Sequence, residues 1–234
     1  MKIVLIHNGT DYEALLLTSL AIGLKKKYAN AKIFWAGDPE YFALVKFNKR
    51  VKKYLDISNA YDLASLTQFY KSDICINPYP DKKAIKFTDI CAAEQYYGFT
   101  KDGAVDHNAE LFKNVIYGEL TTNKTVLDLY YGLVDMKWRG EGYGLSYYPR
   151  HKQSKDVGIY LEDASDVEGD AIRMPSNLFA KFDTLNEYQH IITDDMFALH
   201  ASLALRKKVT FYGSLPYSLN FGGQKSALSK TDAI

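Results

Sequence analysis

Short apolar runs rich in β-branched residues alternate with longer stretches whose apolar residues recur at helical spacing. The first run is Lys2–His7 (KIVLIH). After the polar turn Asn8-Gly9-Thr10-Asp11, residues Leu15, Leu16, Leu20, Ala21 and Leu24 recur at helix spacing and end in Lys25-Lys26-Lys27. Three cations there suit the negative end of a helix dipole. Ala31–Ala36 (AKIFWA) is strand-like again and closes on Gly37-Asp38-Pro39. Strand, loop, helix and strand at this spacing make a βαβ unit, the building block of parallel sheets. The alternation predicts a helix over Leu63–Tyr70, a strand over Asp73–Asn77, a helix over Lys82–Ala93 and a strand over Gln95–Phe99.

Two helices then follow without a strand between them, Asn108–Leu120 and Thr125–Met136. A Gly-rich segment, Trp138–Leu145, leads to a linker, Tyr147–Lys152, whose Pro149 disfavours a helix. Beyond it the series resumes: strands over Asp156–Leu161 and Ala171–Met174, a helix over Phe182–Tyr188, a strand over His190–Thr193, a helix over Met196–Leu205 and a strand over Val209–Tyr212. The expectation is an α/β chain of two lobes, 1–150 and a smaller 151–234. Ligands of such sheets bind beyond the carboxyl ends of the strands. The loops His7–Glu13, Asn77–Lys82, Thr193–Phe197 and Gly213–Ser218 are therefore the ones expected to meet.

Composition narrows the picture. Of 234 residues, 47% are hydrophobic and 24% charged, which excludes wholesale disorder. Twenty-nine basic against 28 acidic residues give a net charge of +1, without the bulk signature of a nucleic-acid or membrane-surface binder. The local cluster Lys46, Lys49, Arg50, Lys52 and Lys53 is expected to be a solvated helix face. Nineteen tyrosines suit surfaces that are partly buried and partly wet, as in a ligand cleft, and fit the codon bias of an A+T-rich genome equally well. Cys75 and Cys91 form no CxxC pair, so a cysteine zinc site is not expected. No apolar stretch reaches transmembrane length and no signal-peptide pattern opens the chain, so a cytoplasmic protein is expected.

Four segments carry candidate chemistry. In the first loop, Asp11 and Glu13 are paired carboxylates at a helix start. Such acids are often no more than an N-cap and a favourable first-turn charge. In Thr193-Asp194-Asp195-Met196-Phe197, Asp195 is placed to cap a helix whose next amides could face a phosphate, with His200 one turn on. Gly213-Ser214 and the downstream Asn220–Gln224 allow close backbone approach to a ligand. In Lys137–Tyr143, Arg139 could fork onto a phosphate, and Trp138 and Tyr143 could stack on a sugar or pack between lobes. GxSxG, HExxH and P-loop motifs are absent, and a lone Gly9 is far from a dinucleotide fingerprint.

These segments, in this order, resemble the heptosyltransferase-like glycosyltransferases. The N-terminal MKIVLI, acidic helix start and AKIFWAGDPEY are similar to that family. ITDDMFALHASLALRKKVTFYGS is similar to its strand, Asp-Thr-Gly-x-x-His helix, strand and Gly turn. The resemblance implies a GT-B-like fold: an acceptor-side Rossmann-like lobe, a truncated donor lobe and a cleft between them. It implies transfer of a sugar from a nucleotide-diphosphate donor to an acceptor hydroxyl, with inversion and without a metal or other cofactor. Glu13, with Asp11 nearby, takes the catalytic position, although Tyr12-Glu13 stands where the family has Gly-Asp. Thr193, Asp195, Met196, Phe197, His200, Gly213, Ser214 and Arg139 fall to the donor. Asn8, Tyr12, Trp138 and Tyr143 fall to the acceptor, a glycan, a lipid-linked sugar or, less favoured, a modified DNA base. The family's basic phosphate loop is replaced by the acidic Leu161–Asp166, leaving phosphate to Arg139, Lys207, Ser214 and helix amides. That departure also supports the opposing expectation, a non-catalytic member of the fold.

Overall fold

In the computed structural model, residues 1–46, 48–59, 71–145, 147–165, 167–219 and 227–230 are described. The predicted helix Leu63–Tyr70 and the segment Asn220–Gln224 lie outside them. Strands β1 (Lys2–Ile6), β2 (Lys32–Gly37), β3 (Val51–Asp56), β4 (Ile74–Asn77), β5 (Gln95–Thr100) and β6 (Gly103–Ala104) form one sheet, in the order β3-β2-β1-β4-β5-β6. All neighbours are parallel except β5 and β6. β1 lies inside the sheet and is covered on both faces, which is why Ile3–Ile6 read as an unbroken apolar run. Helix α1 (Asp11–Lys27) follows it and is buried almost continuously from Glu13 to Leu24. Short α2 (Phe42–Lys46), α3 (Lys82–Cys91), α4 (His107–Ile116) and α5 (Val126–Gly132) complete this half.

The second sheet contains β7 (Lys155–Tyr160), β8 (Asp170–Ala171), β9 (Tyr188–Thr193), β10 (Lys208–Tyr212) and β11 (Ala227–Lys230), all parallel, in the order β11-β10-β9-β7-β8. Helices α6 (Leu178–Asn186) and α7 (Met196–Ala204) connect its strands. α7 packs directly on α1, and a single cluster of buried residues runs through both halves. Both cysteines are buried thiols. No helix of the described residues is long and apolar enough to cross a membrane.

Three expectations need correction. The basic cluster is no helix face. Lys46 ends α2, Lys49-Arg50 form a turn, and Lys52 and Lys53 stand exposed on the edge strand β3. Pairing with β2 jumps from Val51 to Lys53, so Lys52 is the extra residue of a bulge. The bulge breaks the alternation that would have revealed the strand, and lysines on an edge discourage further pairing. β8 is shorter than expected. α6 begins at Leu178, because the Asn177 side chain accepts from the Ala180 amide at 3.1 Å and caps it.

Candidate active cleft

The carboxyl ends of β1 and β4 present two loops that are pinned together. Asn8 Nδ2 donates to Asp81 Oδ1 at 3.0 Å, and Asp81 in turn caps α3. The N-cap of α1 is Thr10, not Asp11. The Thr10 amide and hydroxyl both donate to Glu13 Oε2, at 2.8 and 3.0 Å, the capping-box arrangement. The Thr-x-x-Glu spacing was legible in the sequence. Gly9 passes so close that a Cβ there would lie 2.2 Å from Glu13 Oε2 and 2.6 Å from the Tyr79 ring. One carboxylate oxygen is thereby fixed. The other, Oε1, has the Tyr117 hydroxyl 3.5 Å away. Burial raises the carboxyl pKa above its ordinary value, opposed by the hydrogen bonds from Thr10 and Tyr117.

Across from Glu13 stands the start of α7. Asp195 Oδ1 accepts from the Ala198 amide at 2.7 Å, and Thr193 Oγ1 accepts from the Asp195 amide at 3.0 Å. Helix cap and strand end are thus held as the sequence expected. Gly213 and Ser214 leave the neighbouring strand β10 at the same sheet edge and are exposed. Leu215 and Tyr217 beyond them reach back to the first lobe. The Thr122 amide donates to the Pro216 carbonyl, and the Ser218 amide to the Lys124 carbonyl, both at 2.8 Å. Glu13, Tyr12, Tyr130, Met196 and Tyr217 line one cavity of about 160 Å³ between the halves.

The halves are closed on each other at this point. The Tyr12 ring stacks on His200 with centroids 5.6 Å apart and planes 15° from parallel. Tyr143 OH lies 2.7 Å from His200 Nδ1. His200 is wholly buried, and burial lowers its pKa to about 3. It is an interface residue here, and Phe197 likewise is buried, against Phe182. Asp11 Oδ2 takes an ion pair from Lys181 Nζ at 3.1 Å, and that ammonium also lies over the Phe197 ring. Lys181, the Tyr79–Tyr117–Tyr130 group and Tyr217 were not foreseen. No local motif marks them, since five separate segments bring them together.

Several expected site residues lie elsewhere. The Arg139 amide donates to Glu141 Oε2 at 2.7 Å, and Glu141 pairs with Lys26 Nζ at 3.0 Å. Lys26 is about 20 Å along α1 from Glu13. Trp138 Nε1 donates to the Glu141 carbonyl at 2.9 Å, so it shares that far end. Of the Gly-rich segment only Tyr143 reaches the cleft. Lys207 Nζ bonds Gln153 and the Asn186 carbonyl just before β10, at the opposite sheet edge from Gly213. Arg139 and Lys207 are therefore not positioned for a phosphate in the cleft. The acidic stretch does sit at the cleft edge of the second sheet: the Glu162 amide donates to Asp194 Oδ2 at 3.0 Å.

The sequence matches no protein-family model and no curated protein. The structure matches solved two-lobed glycosyltransferases of the GT-B class across nearly all its length. One is a family 9 glycosyl transferase from Veillonella parvula, with TM-score 0.69, 12% identity, and coverage of 98% of this chain and 85% of that one. Another is the E. coli ADP-heptose lps heptosyltransferase II, with TM-score 0.66, 12% identity and coverage of 98% and 90%. A third is the E. coli heptosyltransferase WaaC solved with ADP, with TM-score 0.63, 10% identity and coverage of 98% and 91%. At such identities the likeness establishes the fold: α/β, two Rossmann-like lobes facing a cleft, in a compact chain.

Proposed function

We propose that this protein is an inverting, metal-independent glycosyltransferase that moves a sugar from a nucleotide-diphosphate donor to an acceptor hydroxyl. The observation that carries the reading is the shared cavity: Glu13 on the first lobe and Met196, at the start of α7 on the second, line the same space. Glu13 Oε1 accepts the acceptor hydroxyl proton as the oxygen attacks the anomeric carbon, while Oε2 stays on the α1 cap. The nucleotide diphosphate leaves toward the α7 N-terminus, where first-turn amides and the helix dipole favour growing negative charge. Asp11 is a strut in this scheme rather than a base, because Lys181 holds it. A cavity of about 160 Å³ is smaller than an ordinary ligand pocket of roughly 300–1,000 Å³. Donor entry therefore requires the Tyr12–His200–Tyr143 contact to open, and re-closure excludes water.

Glu13→Gln tests the assignment. Gln still accepts the Thr10 amide, so stability stays near wild type while sugar transfer falls roughly a hundredfold or more. Unchanged turnover would remove the role.

A second reading is favoured by the carboxylates. Glu162, Asp163, Asp194 and Asp195 gather at the donor-side edge, and among the described residues no Lys or Arg lines the central cavity. In that reading the fold binds a partner and catalyses nothing. A thermal-shift series with ADP, UDP, GDP, CMP and dTDP separates the two. A nucleotide at about a thousand times its Kd stabilises by roughly 4 kcal/mol, and silence from all five favours the non-catalytic protein.

A further inference from the structure

The cavity beside Glu13 has a chemical character that narrows what can be transferred to. Most of its wall is apolar, from Leu16, Val126, Leu215 and Pro216, and among the described residues no Lys, Arg or His belongs to its lining. The cation bridging the lobes nearby, Lys181, is already held by Asp11 at 3.1 Å. Glu13 is the polar group it presents: Oε2 is held by Thr10, while Oε1 has the Tyr117 hydroxyl at a long 3.5 Å.

Three ligand chemistries can be set against this wall. A carboxylate or phosphate would be buried beside the Glu13 carboxyl with no cation to offset it, which is the costliest arrangement available. A plain hydrocarbon would suit the wall but leave Glu13 Oε1 buried without a further donor. A neutral ring bearing hydroxyls meets both demands: its apolar face covers the aliphatic side chains and a hydroxyl donates to Glu13. The size agrees, since a cavity of about 150 Å³ accommodates one benzene-sized ring and this one measures about 160 Å³. We infer that the acceptor enters this cavity as an uncharged, hydroxyl-bearing ring, with no carboxylate or phosphate on the part that is enclosed. The inference rests on the transferase reading for the word acceptor, and on the cavity lining for the chemistry.

The test is calorimetric titration of the whole chain, without nucleotide, with p-nitrophenyl β-D-glucopyranoside and p-nitrophenyl β-D-glucuronide. The two probes differ only in a hydroxymethyl group against a carboxylate. The glucopyranoside is expected to bind about tenfold tighter or more. Leu215→Lys sets an ammonium at the cavity rim on a flexible stem and should erase that preference. Ile116→Lys, at the end of α4, provides a second placement should the first not fold. Equal binding of the probes, tighter glucuronide binding, or binding of neither overturns the inference, whatever the nucleotide series shows. A preference for the glucopyranoside with no response to any nucleotide upholds the neutral cavity and sinks the transferase instead.

Discussion

At the scale of single residues, Glu13 shows how one side chain serves structure and chemistry together. A carboxylate has two oxygens, and the α1 cap uses one of them. The cap is what aims the other. Gly9 is part of the same device, because a methyl group there would overlap the carboxylate and the Tyr79 ring. Gly9→Ala should therefore cost about 1–3 kcal/mol of stability, as overpacking does, and lower turnover with Glu13 still present. Denaturant unfolding and kcat measured on the same preparation check both effects. Retained stability together with full activity would show that the loop yields without moving the base.

Among the elements, α1 and α7 decide the site, because their N-termini meet and their flanks pack. Removing the α7 cap with Asp195→Ala should cost about 1 kcal/mol and loosen the turn that carries Met196. Two buried histidines, His200 on α7 and His7 just after β1, add a pH dependence. Burial lowers His200 to about 3 and His7 to about 4, both below the ordinary 6.5. The unfolded chain thus binds more protons than the folded one between those values and 6.5. Stability contributed by the neutral rings is present above pH 6.5 and is lost as pH falls, by up to about 1.4 kcal/mol per pH unit for each. Glu13, whose pKa is raised, contributes with the opposite sign just above the ordinary carboxylate range. Tyr12 and Tyr143 are titratable groups in contact with His200. Thermal melts of wild type and His200→Gln between pH 4 and 7.5 should show a shallower acid slope in the variant; parallel curves would place the dependence elsewhere.

For the whole molecule, the ties between the two lobes include the Tyr12–His200 stack, the Tyr143–His200 contact, the Asp11–Lys181 ion pair, the Asp183 carboxylate accepting from Tyr147 and Arg150, and the backbone hydrogen bonds at Pro216 and Ser218, over a shared apolar seam. The Asp11–Lys181 pair is partly exposed, with side chains 22% and 24% accessible. A double-mutant cycle with Asp11→Asn and Lys181→Met should return a coupling of about 1 kcal/mol or less, shrinking at high salt. Such a weak tie suits a hinge that must open for a donor. A much larger coupling would mean that the pair locks the lobes shut.

The sequence determined most of the elements: unbroken apolar runs such as KIVLI and the ICIN of β4 survive as strands because both sheet faces bury them, and period-3.6 runs survive as helices, whereas the bulged edge strand β3 went unread. It determined which loops meet, since βα loops of parallel strands emerge at one edge. It also held the capping box of Thr10 and Glu13, a local spacing with a local cause. Tertiary structure alone decided the rest. Arg139 and Trp138 sit in a promising segment, yet the chain lays that segment along α1 and carries both to the far end. Lys207 lies just before a strand and so at the edge away from the cleft. The tyrosines around Glu13 come from α1, the loop after β4, the end of α4, α5 and the loop after β10. Their convergence is a property of packing between distant segments, which no window along the chain contains.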